Sequence, residues 1–165
     1  VGLSQGELGI PLSSQIARSR TSMTRKEKVI ALDFDGTVVT HDYPAVGRDI
    51  GAEPVLKKLV ARGHKLVLNT MRSGSKLRDA EQWFHDRGIP LYGSNKNPTQ
   101  HTWTQSPKVF AHIYIDDASL GCPLVKDPDI ERPYVDWKVI EQMLEENVKV
   151  QPASPAENVN EATDL

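Results

Sequence analysis

Apolar and polar positions along the middle of this chain fall into two alternating periods. Lys28–Leu32 is a short β-branched and apolar run that stops at Asp33, and it predicts a strand. Pro54–Arg62 carries Val55, Leu56, Leu59 and Val60 at helical spacing, with Gly63 where a glycine closes a helix. Lys65–Leu68 predicts a buried strand, and Ser75–Arg87 a second helix with Leu77, Ala80, Trp83 and Phe84 inward and Gly88 as its stop. Ile89–Tyr92 and His112–Ile115 predict two more strands, the latter ending at Asp116. The pattern over Gln100–Phe110 fits a short helix without requiring one, and Pro123–Val125 fits a small extra strand. Asp136 can cap a last helix that presents Trp137, Ile140, Met143 and Leu144 on one face. Strands alternating with helices through short loops predict an α/β fold, a parallel sheet with helices on both faces.

The two ends read differently. Residues 1–27 lack a strand or helix pattern and are read as a disordered leader or a targeting segment, with Met23 as an internal start. Residues 149–165 hold Pro152, Pro155 and small polar residues, and read as a disordered tail. The domain is expected over 28–148. With 38% apolar and 25% charged residues in 165, the chain can bury a core. Its net charge of −2 gives no basic track for a nucleic-acid backbone or an anionic membrane. No apolar run reaches a membrane span. The single cysteine, Cys122, rules out a disulfide framework within the chain and reads as a small packed residue. A reducing, cytoplasmic setting fits.

In sheets of this kind the ligand site lies beyond the carboxyl ends of the strands. The first strand is followed by Asp33, Phe34, Asp35, Gly36 and Thr37; the second by Asn69, Thr70, Met71, Arg72, Ser73 and Gly74. The third is followed by Ser94, Asn95 and Lys96, and the fourth by Asp116 and Asp117. Four strands thus deliver polar groups to one edge. Clustered carboxylates repel one another unless protonated or metallated, and an all-oxygen set suits Mg²⁺. A hydroxyl from Thr70, a helix N-terminus and a lysine suit phosphate. Together they predict phosphoryl transfer through an aspartyl-phosphate.

The run Asp33-Phe34-Asp35-Gly36-Thr37 resembles the DxDGT motif of the haloacid dehalogenase superfamily. Leu66–Thr70 resembles its second motif and Ile113–Asp117 its fourth, while Lys96, 20 residues before Asp116, matches its third. The resemblance covers roughly residues 28–145. It implies a three-layer Rossmann-like core and a Mg²⁺-dependent phosphomonoester hydrolase. In that reading Asp33 is the nucleophile, and Asp35 protonates the leaving oxygen and then activates water. Thr70 and Lys96 hold phosphoryl oxygens. Asp33, Asp35 (through its carbonyl), Asp116 and Asp117 hold the metal, Asp117 most directly. The acid at position 35 marks the phosphatases of the superfamily rather than its dehalogenases.

Only 32 residues separate Thr37 from Thr70 and 25 separate Thr70 from Lys96, so neither interval holds a folded cap domain. The resemblance therefore implies a capless, open site, closed if at all by a partner subunit, such as a second copy of the chain, or by the leader. Thr40–Ile50 reads as a small flap. Gly36, Thr37, His41, Asn69, Met71 and Arg72 are the candidate substrate contacts, though a solvated loop arginine fits Arg72 equally and a lone surface histidine such as His41 is more often idle. Lys108, eight residues before Asp116, rivals Lys96; if it precedes its strand it belongs at the opposite edge, which favours Lys96. The substrate is expected to be a phosphorylated small molecule, with a nucleotide or polynucleotide end as the alternative. A non-catalytic binding protein on the same scaffold is the other reading. A phosphoacceptor signalling domain is disfavoured, because there the acidic pair comes first and the acceptor aspartate in mid-chain.

Overall fold

The computed structural model describes residues 26–149. The leader expected over 1–27 and the tail expected over 149–165 lie outside them, apart from Lys26, Glu27 and Lys149. The elements in chain order are β1 (Val29–Leu32), α1 (Ala52–Ala61), β2 (Lys65–Leu68), α2 (Gly74–Asp86) and β3 (Leu91–Ser94). A 3₁₀ turn (Gln100–Thr102), β4 (Ile113–Ile115), β5 (Leu124–Val125), β6 (Tyr134–Val135) and α3 (Trp137–Lys149) follow. The fold is α/β: β1 to β4 form a four-stranded parallel sheet in the order β3-β2-β1-β4. β5 and β6 make a separate antiparallel pair, of which the sequence pattern predicts only the first strand.

The topology decides which face is covered by what. From β1 to β2 to β3 the chain steps in one direction, so right-handed crossovers place α1 and α2 on the same side. Their apolar residues, with Trp137, Ile140 and Leu144 of α3, join Ile30, Leu32, Leu66 and Leu68 in one cluster. Met143, expected on the apolar stripe of α3, is 42% exposed. The opposite face offers Val29, Ala31 and Val67, and it packs against Val109 and Ala111 from the long return between β3 and β4. No α-helix covers this second face among the described residues, so the expected helices on both faces are not seen. The return holds Pro98 and Pro107, which break helical hydrogen bonding. Its backbone is satisfied instead by the buried Gln100. That side-chain amide donates to the carbonyls of Ser106 (2.8 Å) and Lys108 (2.7 Å) and accepts from Phe110 N–H (2.7 Å).

Local signals explain the element ends. The Asp49 carboxylate accepts from the amides of Gly51 and Glu53 at 3.0 and 3.1 Å, and Pro54 sits in the first turn of α1, where no amide is needed. Asp136 caps α3 through Lys138 N–H (3.0 Å) and Val139 N–H (3.2 Å), as expected. β3 starts two residues later than its apolar run, because Pro90 cannot donate and the pairing begins at Leu91 opposite Leu66. No helix among the described residues is long and apolar enough to cross a membrane.

Candidate active site

The sheet ladder continues one residue past several strands and so delivers the polar residues to one edge. Asp33 N–H donates to Ile115 O (3.0 Å), Asn69 N–H to Leu32 O (2.7 Å), and Asn95 N–H to Leu68 O (2.7 Å). Beyond Asp33 the chain turns tightly, with Val38 and Val39 amides on Phe34 O at 2.8 and 3.1 Å. Gly36 sits in this turn at φ 82°. A Cβ there would strike the His41 ring and come within 2.8 Å of Asp117 Oδ2, so both conformation and space require glycine. Behind the turn, the buried Trp137 indole donates to Thr37 O at 2.6 Å, which ties α3 to the loop.

One carboxylate oxygen each from Asp33, Asp116 and Asp117 lies within 4.8 Å of the other two. The Thr37 hydroxyl sits between two of them, 3.2 Å from Asp33 Oδ2 and 3.4 Å from Asp117 Oδ1, and accepts from Asp117 N–H at 3.0 Å. Its one proton serves one carboxylate at a time. Burial, and then the charges of Asp116 and Asp117, push the Asp33 carboxyl up to about 7. His41 reaches in from the 40–50 segment, its Nε2 3.0 Å from Asp117 Oδ2, so it is not an idle surface residue. Three hard oxygen donors meeting at one place form a set that a divalent cation fits.

A cavity of about 270 Å³ opens beside the cluster, lined by Asp33, Asn69, Asp116, Ser119, Tyr114 and Lys108 among others. The lysine in this lining is Lys108. Lys96, the expected phosphate lysine, is exposed and does not line the cavity. The expectation that Lys108 belongs to the far edge of the sheet fails for a topological reason. β4 begins only at Ile113, and the return before it runs across the second face, where Lys108 Nζ lies 5.6 Å from the Tyr114 ring centre.

Thr70 is buried; its N–H donates to Asn95 Oδ1 (2.8 Å), and its hydroxyl accepts from Arg72 N–H (3.1 Å). Met71, at 97% exposure, projects into solvent. Arg72 is neither solvated nor open to substrate, being only 3% exposed. Its Nε and Nη2 donate to the two oxygens of Asp35 at 2.7 Å each. That pairing raises the guanidinium's already high pKa. The Asp35 carboxylate therefore faces Arg72 and stands outside the three-acid cluster, which leaves its backbone carbonyl as the expected metal contact.

Asn95 and Ser119 were not among the sequence-derived site residues. Asn95 carries a positive φ of 51°, and it supports Thr70 from the third strand end; its place directly after a strand was the available signal. Nothing in the local sequence around Ser119 marks it. His64 and His112 accept from the amides of Lys28 and Val29 at the start of β1, a structural use.

No protein-family profile matches this chain, and no curated protein matches it. Among solved structures, it is similar to a conserved protein coded by a locus of Bacteroides thetaiotaomicron. The two are 35% identical over 73% of this chain and 92% of that one, with a TM-score of 0.61. The chain belongs to the family of that conserved bacterial protein.

Proposed function

We propose that the protein is a Mg²⁺-dependent phosphomonoester hydrolase of the haloacid dehalogenase type, working through an aspartyl-phosphate on Asp33. The observation that carries this reading is the meeting of Asp33, Asp116 and Asp117 within 4.8 Å, beside a cavity that Lys108 and Asn69 also line. The matching order of the motifs along the chain supports it. The sheet is then a Rossmann-like core whose second layer is the 95–112 return in place of a helix.

Asp33, Asp116 and Asp117 would hold the cation, which supplies neutralising charge for the acid cluster and the phosphate. An Asp33 oxygen attacks phosphorus, and the P–O bond to the leaving group breaks. Asp35, protonated at an oxygen lone pair that the Arg72 fork leaves free, delivers that proton to the departing oxygen. In the second half Asp35 takes a proton from water as its oxygen attacks the phosphorus, releasing inorganic phosphate and restoring the Asp33 carboxylate. Lys108 and the Thr70 region hold the phosphoryl oxygens. No cap domain interrupts the chain between the strand ends, so a second copy of the chain is the proposed cover.

Phosphate release from a panel of sugar phosphates, nucleotides and 3′- or 5′-phosphorylated oligonucleotides, with and without Mg²⁺, tests the reading. Release that needs Mg²⁺ and disappears in Asp33→Asn supports it, and the ranking within the panel separates small esters from nucleic-acid ends. Binding without release favours a non-catalytic role.

A further inference from the structure

Arg72 is the most completely used side chain near the site, and none of its partners is a substrate group. Besides the two bonds to Asp35, its Nη2 donates to Ala45 O at 2.5 Å and its Nη1 to Pro44 O at 3.4 Å. The guanidinium lies over the Phe34 ring (5.1 Å to its centre) on one hand and the Tyr43 ring (5.3 Å) on the other. Pro44, Ala45 and Tyr43 belong to a strap over residues 39–49. This strap closes on itself by pairing Val39 with Asp49, and by bonds from Thr40 N–H to Arg48 O (2.9 Å) and from Arg48 N–H to Thr40 Oγ1 (3.0 Å). The same strap carries His41 to Asp117.

We infer that Arg72 is a positioning residue that couples the seat of the 39–49 strap to the orientation of the Asp35 carboxylate. A planar fork set against two rings, with its N–H groups taken by a carboxylate and two carbonyls, has one good placement. If the strap shifts, the carbonyls of Pro44 and Ala45 move and the fork must move with them. Asp35 then turns, because both of its oxygens are held by that fork. The buried position adds force to the coupling, since a guanidinium that loses its carboxylate in the interior is left uncompensated. On the hydrolase reading, on which this inference rests, Arg72 decides how well Asp35 is aimed at the leaving oxygen. A substrate that presses on the strap would thus reach the proton donor through Arg72.

The test compares wild type with Arg72→Lys, which keeps the charge and lacks the fork. Two readouts are taken on the full chain: amide hydrogen exchange of residues 39–49, and kcat and KM for an aryl phosphate with a good leaving group and for an alkyl phosphate with a poor one. The expected result is faster exchange at Thr40 and Arg48 with β1 and β2 unchanged. The alkyl-to-aryl ratio of kcat/KM should fall about 10- to 100-fold, because kcat/KM reads only the transfer to Asp33, where the poor leaving group alone needs an aimed proton. A folded Arg72→Lys protein with wild-type strap exchange and a wild-type ratio overturns the proposal. If that variant does not fold, Asp35→Asn loosens the fork from the other side. It should also speed strap exchange, and unchanged exchange there overturns the coupling. Wild-type silence on both esters would instead count against the hydrolase reading, with the exchange measurement then deciding the coupling by itself.

Discussion

Replacing Asp33 by asparagine probes the electrostatics of the acid cluster without requiring turnover. In the metal-free protein, burial and the neighbouring charges of Asp116 and Asp117 raise the Asp33 carboxyl from 3.8 to about 7. A carboxyl raised on folding binds its proton more tightly in the folded state than in the unfolded one. Its contribution to stability is therefore fully present below its unfolded value and is lost as pH rises through 7. The whole rise corresponds to ~4 kcal/mol at about 1.4 kcal/mol per tenfold change in proton affinity. Asp33 is partly open to solvent, which screens the interaction and leaves roughly 2 kcal/mol. Asparagine keeps the volume, and its carbonyl can still accept from the Thr37 hydroxyl, but it never ionises. In EDTA, Asp33→Asn should match wild type at about pH 4 and exceed it by roughly 2 kcal/mol at about pH 8, or about 5–8 °C in Tm. Urea unfolding followed by tryptophan fluorescence suits the measurement, since Trp83 and Trp137 are buried. Added Mg²⁺ should narrow the gap or reverse it, by binding the ionised wild-type cluster. A difference that stays constant between about pH 4 and pH 8 in EDTA would refute the idea that these acids repel one another in a desolvated site.

Two further outcomes follow from the geometry. Lys108→Ala should weaken inorganic phosphate binding about tenfold or more, and Lys96→Ala should leave it within about twofold, as read by competition against phosphate release or by calorimetry. The reverse ranking would return the phosphate contact to Lys96. Trp137→Phe removes the indole N–H from the buried Thr37 carbonyl and should cost about 1–3 kcal/mol in urea unfolding. It should also loosen the loop that holds Thr37 between two aspartates.

The strands, the helices and the polar residues at four strand ends are legible in the chain because they obey local rules. β1, β2 and β4 are short apolar runs that each stop at a polar residue. α1 and α2 repeat every three to four residues and are followed by Gly63 and Gly88, and Asp136 caps α3 as its position suggests. Asp33, Thr37, Asp116 and Asp117 are brought together as their strand-end positions require, since parallel strands paired in register share one carboxyl edge. The other features depend on what crosses over what. Which lysine lines the cavity depends on the path of the 95–112 return, which lacks a helical pattern and is organised by hydrogen bonds from Gln100. Arg72 reads as a loop residue beside a threonine, and only tertiary packing gives it Asp35, two strap carbonyls and two rings. His41 likewise finds Asp117 across 76 positions of sequence. Periodicity and strand ends are encoded by neighbours a few residues apart, so the sequence by itself determines them. Buried polar pairing joins residues distant along the chain and depends on where the backbone finally lies, and only the folded structure decides it.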